Sequence, residues 1–441
     1  MTNQLMIEKQ IKRTIASVMR LHQDSLTVNS GYLFGVNVVG AFVGMAFWAL
    51  AARLYSPDDV GLASAVISIV QMLAGMASFG LGMGLVRFLT GEDDPKRMLN
   101  TTASFVVLTS IVIGSVYLAG IQLWSPTLES LNQRWDLAIG FIGFLGVLVL
   151  GSLFQMVYLA CREARYALWQ VLTMNALRLV LIVAFMSTSA LGIIAAVAIG
   201  AIFADGLSLF IFLPLVVEGF RIRPQWSANV IKRLVPYSVR SHIADLLYRA
   251  PVLLVPPLTL EMLDAESSAH AYVGWMLGWL LTSPGQALAA SAFAEGSRAP
   301  HDLRQILSRA VGYALAVTTP LAFGVGLGAP WVLELFGASY STGATALLRW
   351  LAMAAPLVAL NSLYFSALRV QKRMGELVML SVLSAAVSLA IPLFSLQQAG
   401  LAATGIGWLA AQSLVTIVAA YSFLTMRTKA KRQIESTGGL Q

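Results

Sequence analysis

"YSVRSHIADLLYRAPVLLV", residues 237–255, has the length and the aliphatic content of a helix that crosses a membrane. It also holds Arg240, His242, Asp245 and Arg249. Ionisable side chains in hydrocarbon cost about 2.5–3.5 kcal/mol each on insertion scales. Four of them in one span need a wet cavity or partners in protein, so the meaning of this stretch depends on what surrounds it.

The surroundings are apolar throughout. Of 441 residues, 58% are hydrophobic and 11% charged, with a mean hydropathy of +0.76; a soluble domain carries about 25% charged residues. A spanning helix takes about 20 mostly apolar residues. By that ruler the sequence has twelve spans, over 31–52, 62–86, 100–123, 137–160, 166–187, 191–217, 235–256, 268–292, 307–329, 347–370, 375–395 and 399–424. The connections leave no room for a separate soluble domain, and the alternating segments of a β-barrel are absent. The expected fold is an all-α polytopic membrane protein. The apolar run ending at Ala49–Ala51 is too long for a signal peptide and reads as a retained anchor.

Charge placement supports this topology. With the N-terminus inside, 23 of the 29 Lys and Arg fall on inside segments, Arg53, Arg134 and Arg349 fall outside, and Arg178, Arg240 and Arg249 lie within spans. That is the positive-inside pattern of a cell-membrane protein with both termini cytoplasmic. The net charge of +8 is therefore topological, and nucleic acid is not an expected partner. Cys161 is the one cysteine, which excludes an internal disulfide, and it reads as structural. Four scattered histidines and the absence of a G-x-x-x-x-G-K-[ST] loop exclude a metal centre and an ATPase module; no cofactor is expected.

The chain divides as 1–30, an N-terminal amphipathic segment with Ile7, Ile11, Ile15 and Val18 on one helical stripe across 4–26; 31–217, six spans; 218–234, a basic linker; 235–424, six more spans; and 425–441, a basic tail expected to be disordered. Sliding the first half onto the second at an offset of 208 matches Ser30 with Ser238, Asn37 with Asp245, Ala63 with Ala271 and Gly192 with Gly400, while the spans coincide one for one. Two six-helix lobes around a central cavity follow from that repeat.

Three stretches resemble a known family. They are "NSGYLFGVNVVGAFVGMAFWALAARLYSPDDVGLASAVISIVQMLAGMASFGLGMGLVRFL" (29–89), with an Ala-Arg-Leu phrase, a short acidic loop and a Gly-x-Gly close before Arg87; "LELFGASYSTGATALLRWLAMAAPLVALNSLYFSALRVQKR" (333–373), with its Leu-Phe-Gly-x-x-Tyr turn; and "AGLAATGIGWLAAQSL" (399–414). They are similar to bacterial polysaccharide repeat-unit flippases of the multidrug/oligosaccharidyl-lipid/polysaccharide exporter superfamily. The resemblance implies transport of a polyprenyl-diphosphate-linked oligosaccharide from the cytoplasmic to the outer leaflet of the inner membrane, by alternating access of two lobes and with ion coupling in several members. It also implies partners: the lipid-linked substrate, membrane lipid, and the polymerase and glycosyltransferases of the same pathway.

An anionic headgroup needs a cationic, hydrated path. Arg240, Arg249, Arg178 and Asn37 are the substrate-binding candidates, because guanidinium groups suit phosphate oxygens. His242, Asp245 and Asp205 are the proton-coupling candidates. His242, Asp245 and Arg249 share one helical face. The competing structural reading pairs Asp245 with Arg249 inside the helix, sends Arg240 to the interface, and pairs Arg178 with Asp205. Arg53, Arg87, Arg162, Arg165 and Arg369, at span ends, read as interface anchors. The alternative functions are a cation-coupled multidrug extruder, which would need acids in the cavity, and a membrane glycan polymerase or ligase, which would need a long outer loop. No catalytic constellation is visible, so the chain does not read as an enzyme.

Overall fold

The computed structural model describes the backbone of residues 25–437, and the side chains of Tyr32 and of residues 35–421 except positions 37, 38, 240 and 241. The expected surface helix over 4–26 lies almost wholly outside this range. The chain forms α1 (Ser25–Leu54), α2 (Pro57–Ser78), α3 (Leu81–Phe88), α4 (Pro95–Ala119), α5 (Trp135–Ala160), α6 (Ala164–Ala184), α7 (Ser189–Leu207), α8 (Ala228–Met262), α9 (Ala265–Arg298), α10 (Leu303–Glu334), α11 (Ala338–Val370), α12 (Met374–Ala399) and α13 (Ala402–Thr437). No strand occurs among the described residues. Ten stretches among them are long and apolar enough to cross a membrane; α1 and the 34-residue α9 complete twelve long helices in two lobes of six.

Three elements differ from the sequence reading. The second span is broken: Phe79 and Gly80 both take left-handed backbone, with φ of 47° and 67°, dividing α2 from α3. The seventh begins at Ala228, well before the expected 235, and its added N-terminal turns carry Asn229, Lys232 and Arg233. The last helix continues to Thr437 where a disordered tail was expected; residues 426–437 hold no glycine or proline, and eight of the twelve are Met, Lys, Arg, Ala, Gln or Glu, all good helix formers.

Small residues let the lobes approach. Lipid gives helices no hydrophobic reason to associate, so close backbone packing and hydrogen bonds must hold them. Gly61 of α2 abuts the Ala265 carbonyl of α9. Ser268 Oγ donates to the Pro256 carbonyl at 2.9 Å and to the Gly61 carbonyl at 3.3 Å. Arg53 Nε donates to the Leu335 carbonyl at 2.9 Å, a second contact between lobes at the same end. At the opposite, basic face, Arg233 pairs with Glu92 at 2.6 Å.

The repeat is visible in the turns. Ser56 caps α2 by accepting from Asp59 N, and Asp264, 208 residues on, caps α9 by accepting from Ser267 N. On the basic face, α5 and α11 end in the same reversal: Glu163 N donates to the Tyr158 carbonyl at 2.8 Å and Arg373 N to the Leu368 carbonyl at 2.9 Å. Arg162 and Lys372 stand at φ 58° in these turns. Here the offset is 210. The Gly192–Gly400 match does not survive: Gly192 lies in the first turn of α7, whereas Gly400 (φ 59°) follows the end of α12.

Candidate functional site

The site is built around α8. Apart from Glu261, the charged residues of this helix and His242 lie within its first 22 of 35 residues, from Lys232 to Arg249. On one side α8 faces α2, α3, α4 and α5 across a cavity of about 690 Å³; on the other it faces α9, α11 and α12 across one of about 310 Å³. Asp245, Arg249 and Trp279 of α9 form part of the wall of both.

His242 fits into the break of the second span. Its Nε2 lies 2.7 Å from the Gly75 carbonyl and 3.3 Å from Ser78 Oγ. A carbonyl only accepts, so Nε2 carries the hydrogen. A Cβ at Gly80 would stand 2.5 Å from His242 Cβ and 2.8 Å from its Cγ, so only glycine fits at this left-handed position against α8. Interrupting a membrane helix frees carbonyls, which are tolerated only beside partners or a cavity; His242 takes one, and Thr109 Oγ1 takes that of Ala77 at 2.8 Å.

Asp245 does not pair with Arg249. Its Oδ1 accepts from Arg369 Nη2 of α11 at 2.5 Å, across the smaller cavity. Arg369 is thus a wall residue rather than an interface anchor. Both partners face the cavity, with side-chain exposures of 50% for Asp245 and 32% for Arg369. Arg249, one turn along α8, has no ion pair among the described residues. The side chains of Arg240 and Asn37 lie outside the described residues; their backbones belong to α8 and α1.

Arg178 and Asp205 are brought together neither with each other nor with these two cavities. The Arg178 guanidinium stacks 4.9 Å from the Phe47 ring centre and approaches Gly44, both of α1. Asp205 Oδ1 accepts from Gln170 Nε2 at 2.6 Å, its carboxylate lying against Gly151. The expected pair fails because Gly200 is the α7 residue packed on Arg178, which leaves Asp205, five residues on, about 7.5 Å further along the axis.

The corresponding helices of the second lobe hold another buried polar node. Asn361 Nδ2 donates to Gln412 Oε1 at 2.9 Å, Thr416 Oγ1 donates to Asn361 Oδ1 at 2.9 Å, and Gln412 Nε2 donates to Ser384 Oγ at 3.2 Å. With the offset of 210, Asn361 occupies the place of Gly151. The sequence reading looked at charges and passed over these amides; Gln170, Asn361 and Gln412 inside apolar spans were the available signal. Nothing local in the sequence pointed to Arg369 as the partner of Asp245. Among the described residues no group of three or more His, Cys, Asp or Glu side chains stands together.

Comparison with known proteins agrees with this architecture. A family model described as "Polysaccharide biosynthesis protein" matches residues 49–344. No curated protein matches the chain. Among solved structures, an inward-facing multidrug resistance MATE family transporter of the MOP superfamily superposes with a TM-score of 0.68 at 15% identity, covering 89% of this chain and 96% of that one. The lipid II flippase MurJ, in an inward closed conformation, gives a TM-score of 0.63 at 12% identity, with coverage of 90% and 87%. A MOP superfamily transporter from Pyrococcus furiosus, described as having a binding pocket of reversed polarity, gives 0.56 at 14% identity, with coverage of 92% and 96%. At such identities the likeness is one of fold.

Proposed function

The chain belongs to the polysaccharide biosynthesis protein family, and from that premise we propose that it is a flippase carrying a polyprenyl-diphosphate-linked oligosaccharide from the cytoplasmic to the outer leaflet of the inner membrane. The observation that supports this reading is Arg249: a guanidinium with no ion pair among the described residues, on the wall common to two cavities, in a multi-pass protein with the MOP fold. A diphosphate offers the paired oxygens that a guanidinium fork prefers. The isoprenoid tail stays in lipid while the headgroup moves through the cavity. Alternating access of the two lobes would carry the headgroup across, and His242, at the break of the second span, is the residue proposed to couple a proton to it. The pathway's polymerase would take the product on the outer side.

The drug-extruder reading is less well supported by the cavity, where Asp245 is already neutralised by Arg369. The test is lipid mass spectrometry on cells depleted of this protein. Accumulation of complete lipid-linked repeat units with loss of surface polymer is the expected result. Unchanged intermediates together with sensitivity to cationic compounds would move the assignment to drug export.

A further inference from the structure

The smaller cavity has a chemistry of its own. Three serines on its wall already spend their hydrogens: Ser362 Oγ donates to the Val358 carbonyl at 2.8 Å, Ser366 Oγ to the Ala289 carbonyl at 2.7 Å, and Ser381 Oγ to the Leu377 carbonyl at 2.9 Å. What each hydroxyl has left is lone pairs. Gln286 commits one Nε2 hydrogen to Thr282 Oγ1 at 2.8 Å, leaving its Oε1 as an acceptor and the second Nε2 hydrogen as a donor. The Asp245 carboxylate adds acceptors at the boundary with the larger cavity, and Trp279 supplies an indole beside them. These acceptors beside an aromatic wall, with the Tyr248 hydroxyl and the Arg249 and Arg369 guanidiniums as donors on the same wall, suit a ligand with several hydroxyls and an apolar C–H face.

We infer that this 310 Å³ chamber is a sugar subsite, seating the first monosaccharide of the lipid-linked substrate against Trp279 while Arg249, at its mouth, holds the adjoining diphosphate. The inference rests on the flippase reading and adds where the glycan is recognised. The volume lies at the lower end of ligand pockets, so the chamber selects one ring rather than an oligosaccharide, and the remaining sugars extend into the larger cavity.

The experiment compares binding by the full-length protein in mild detergent of a bare polyprenyl diphosphate and of the same lipid bearing glucose, galactose or N-acetylglucosamine. At least one sugar-bearing lipid should bind about tenfold more tightly than the bare lipid. In Trp279→Ala that ratio should fall toward one; Gln286→Leu should reduce it as well, and serves if the first variant does not fold. Arg249→Ala should weaken bare and sugar-bearing lipids together. Binding of the bare lipid with no gain from any of the three sugars, or a ratio unchanged in Trp279→Ala and Gln286→Leu, would overturn the subsite while leaving the diphosphate site standing. No binding of either kind of lipid would instead remove the flippase reading.

Discussion

The Asp205 carboxylate and the bare Cα of Gly151 share one volume: a Cβ at 151 would overlap the carboxylate that Gln170 Nε2 holds at 2.6 Å. Three helices of the first lobe, α5, α6 and α7, are thereby joined through a polar node that depends on the absence of a side chain. Gly151→Ala should lower stability by about 1–3 kcal/mol, the usual range for overpacking, read by thermal denaturation in detergent. Combining it with Asp205→Ala should restore part of the loss, because the second change vacates the space. Equal stability of Gly151→Ala and the parent would show that the carboxylate can move aside freely.

Arg249 is expected to be the most sensitive position for transport. Arg249→Ala should reduce surface polymer at least about tenfold with normal amounts of protein in the membrane, the effect of losing a charge-assisted contact to phosphate. Arg13→Ala should not. Arg249→Lys should recover only part of the activity, since a point charge does not reproduce the bidentate fork. Polymer assays normalised to membrane protein would measure all three.

The Asp245–Arg369 pair bridges α8 and α11 across a cavity. Since both side chains are substantially solvated, the coupling measured by a double-mutant cycle with Asp245→Asn and Arg369→Gln should be small, about 1 kcal/mol or less. The functional effect should be larger than the stability effect, because either single change leaves a lone charge beside the proposed headgroup site. A coupling several times larger would mean that the pair is desolvated in solution.

Gly80→Ala meets two obstacles, a left-handed backbone and His242. The backbone penalty for a non-glycine residue at φ 67° is about 1 kcal/mol, and the imidazole contact adds to it. His242→Ala in the same chain removes the ring atoms that lie 2.8 and 3.2 Å from the added Cβ but keeps the His242 Cβ at 2.5 Å, so it should recover only the ring's part of the loss. Unfolding curves of the four proteins in the cycle measure that part.

At the turn after α5, burial pushes the Cys161 thiol above its ordinary pKa, and Glu163 nearby adds to the shift. The thiolate is the reactive form. Alkylation of the full-length protein should therefore be slow at neutral pH and should speed up as the pH is raised through and beyond the usual thiol range. Fast labelling at neutral pH would place the thiol in open solvent.

Span length and loop charge made the twelve-helix architecture legible, since both follow from the bilayer rather than from any particular packing. Boundaries were less legible. Residues 228–236 extend α8 with Asn229, Lys232 and Arg233 interleaved among apolar residues, a mixture that does not mark where the helix starts. Nothing in the spacing of Gly80, Gly82 and Gly84 marks a break, and only the paired left-handed angles at Phe79 and Gly80 reveal one. In the site, a shared helical face was readable from spacing and is realised by Asp245 and Arg249. The partner of Asp245 was not, because Arg369 is 124 residues away and its approach is set by how α8 packs within its lobe.

The matching reversals at Arg162 and Lys372 bear on how the two halves have diverged. From capping residue to reversal the second half is two residues longer, yet its helices are longer by much more: α10 has 32 residues to the 25 of α4, and α11 has 33 to the 26 of α5. The difference is absorbed in the connection, which runs over 120–134 in the first half and over only 335–337 in the second. Each residue added within a helix turns everything beyond it by about 100°, exchanging flanks that touch lipid with flanks that touch neighbours. Drift between duplicated halves is therefore tolerated where a span emerges from the bilayer, and the chain has kept its total length almost constant by trading loop for helix at that one border.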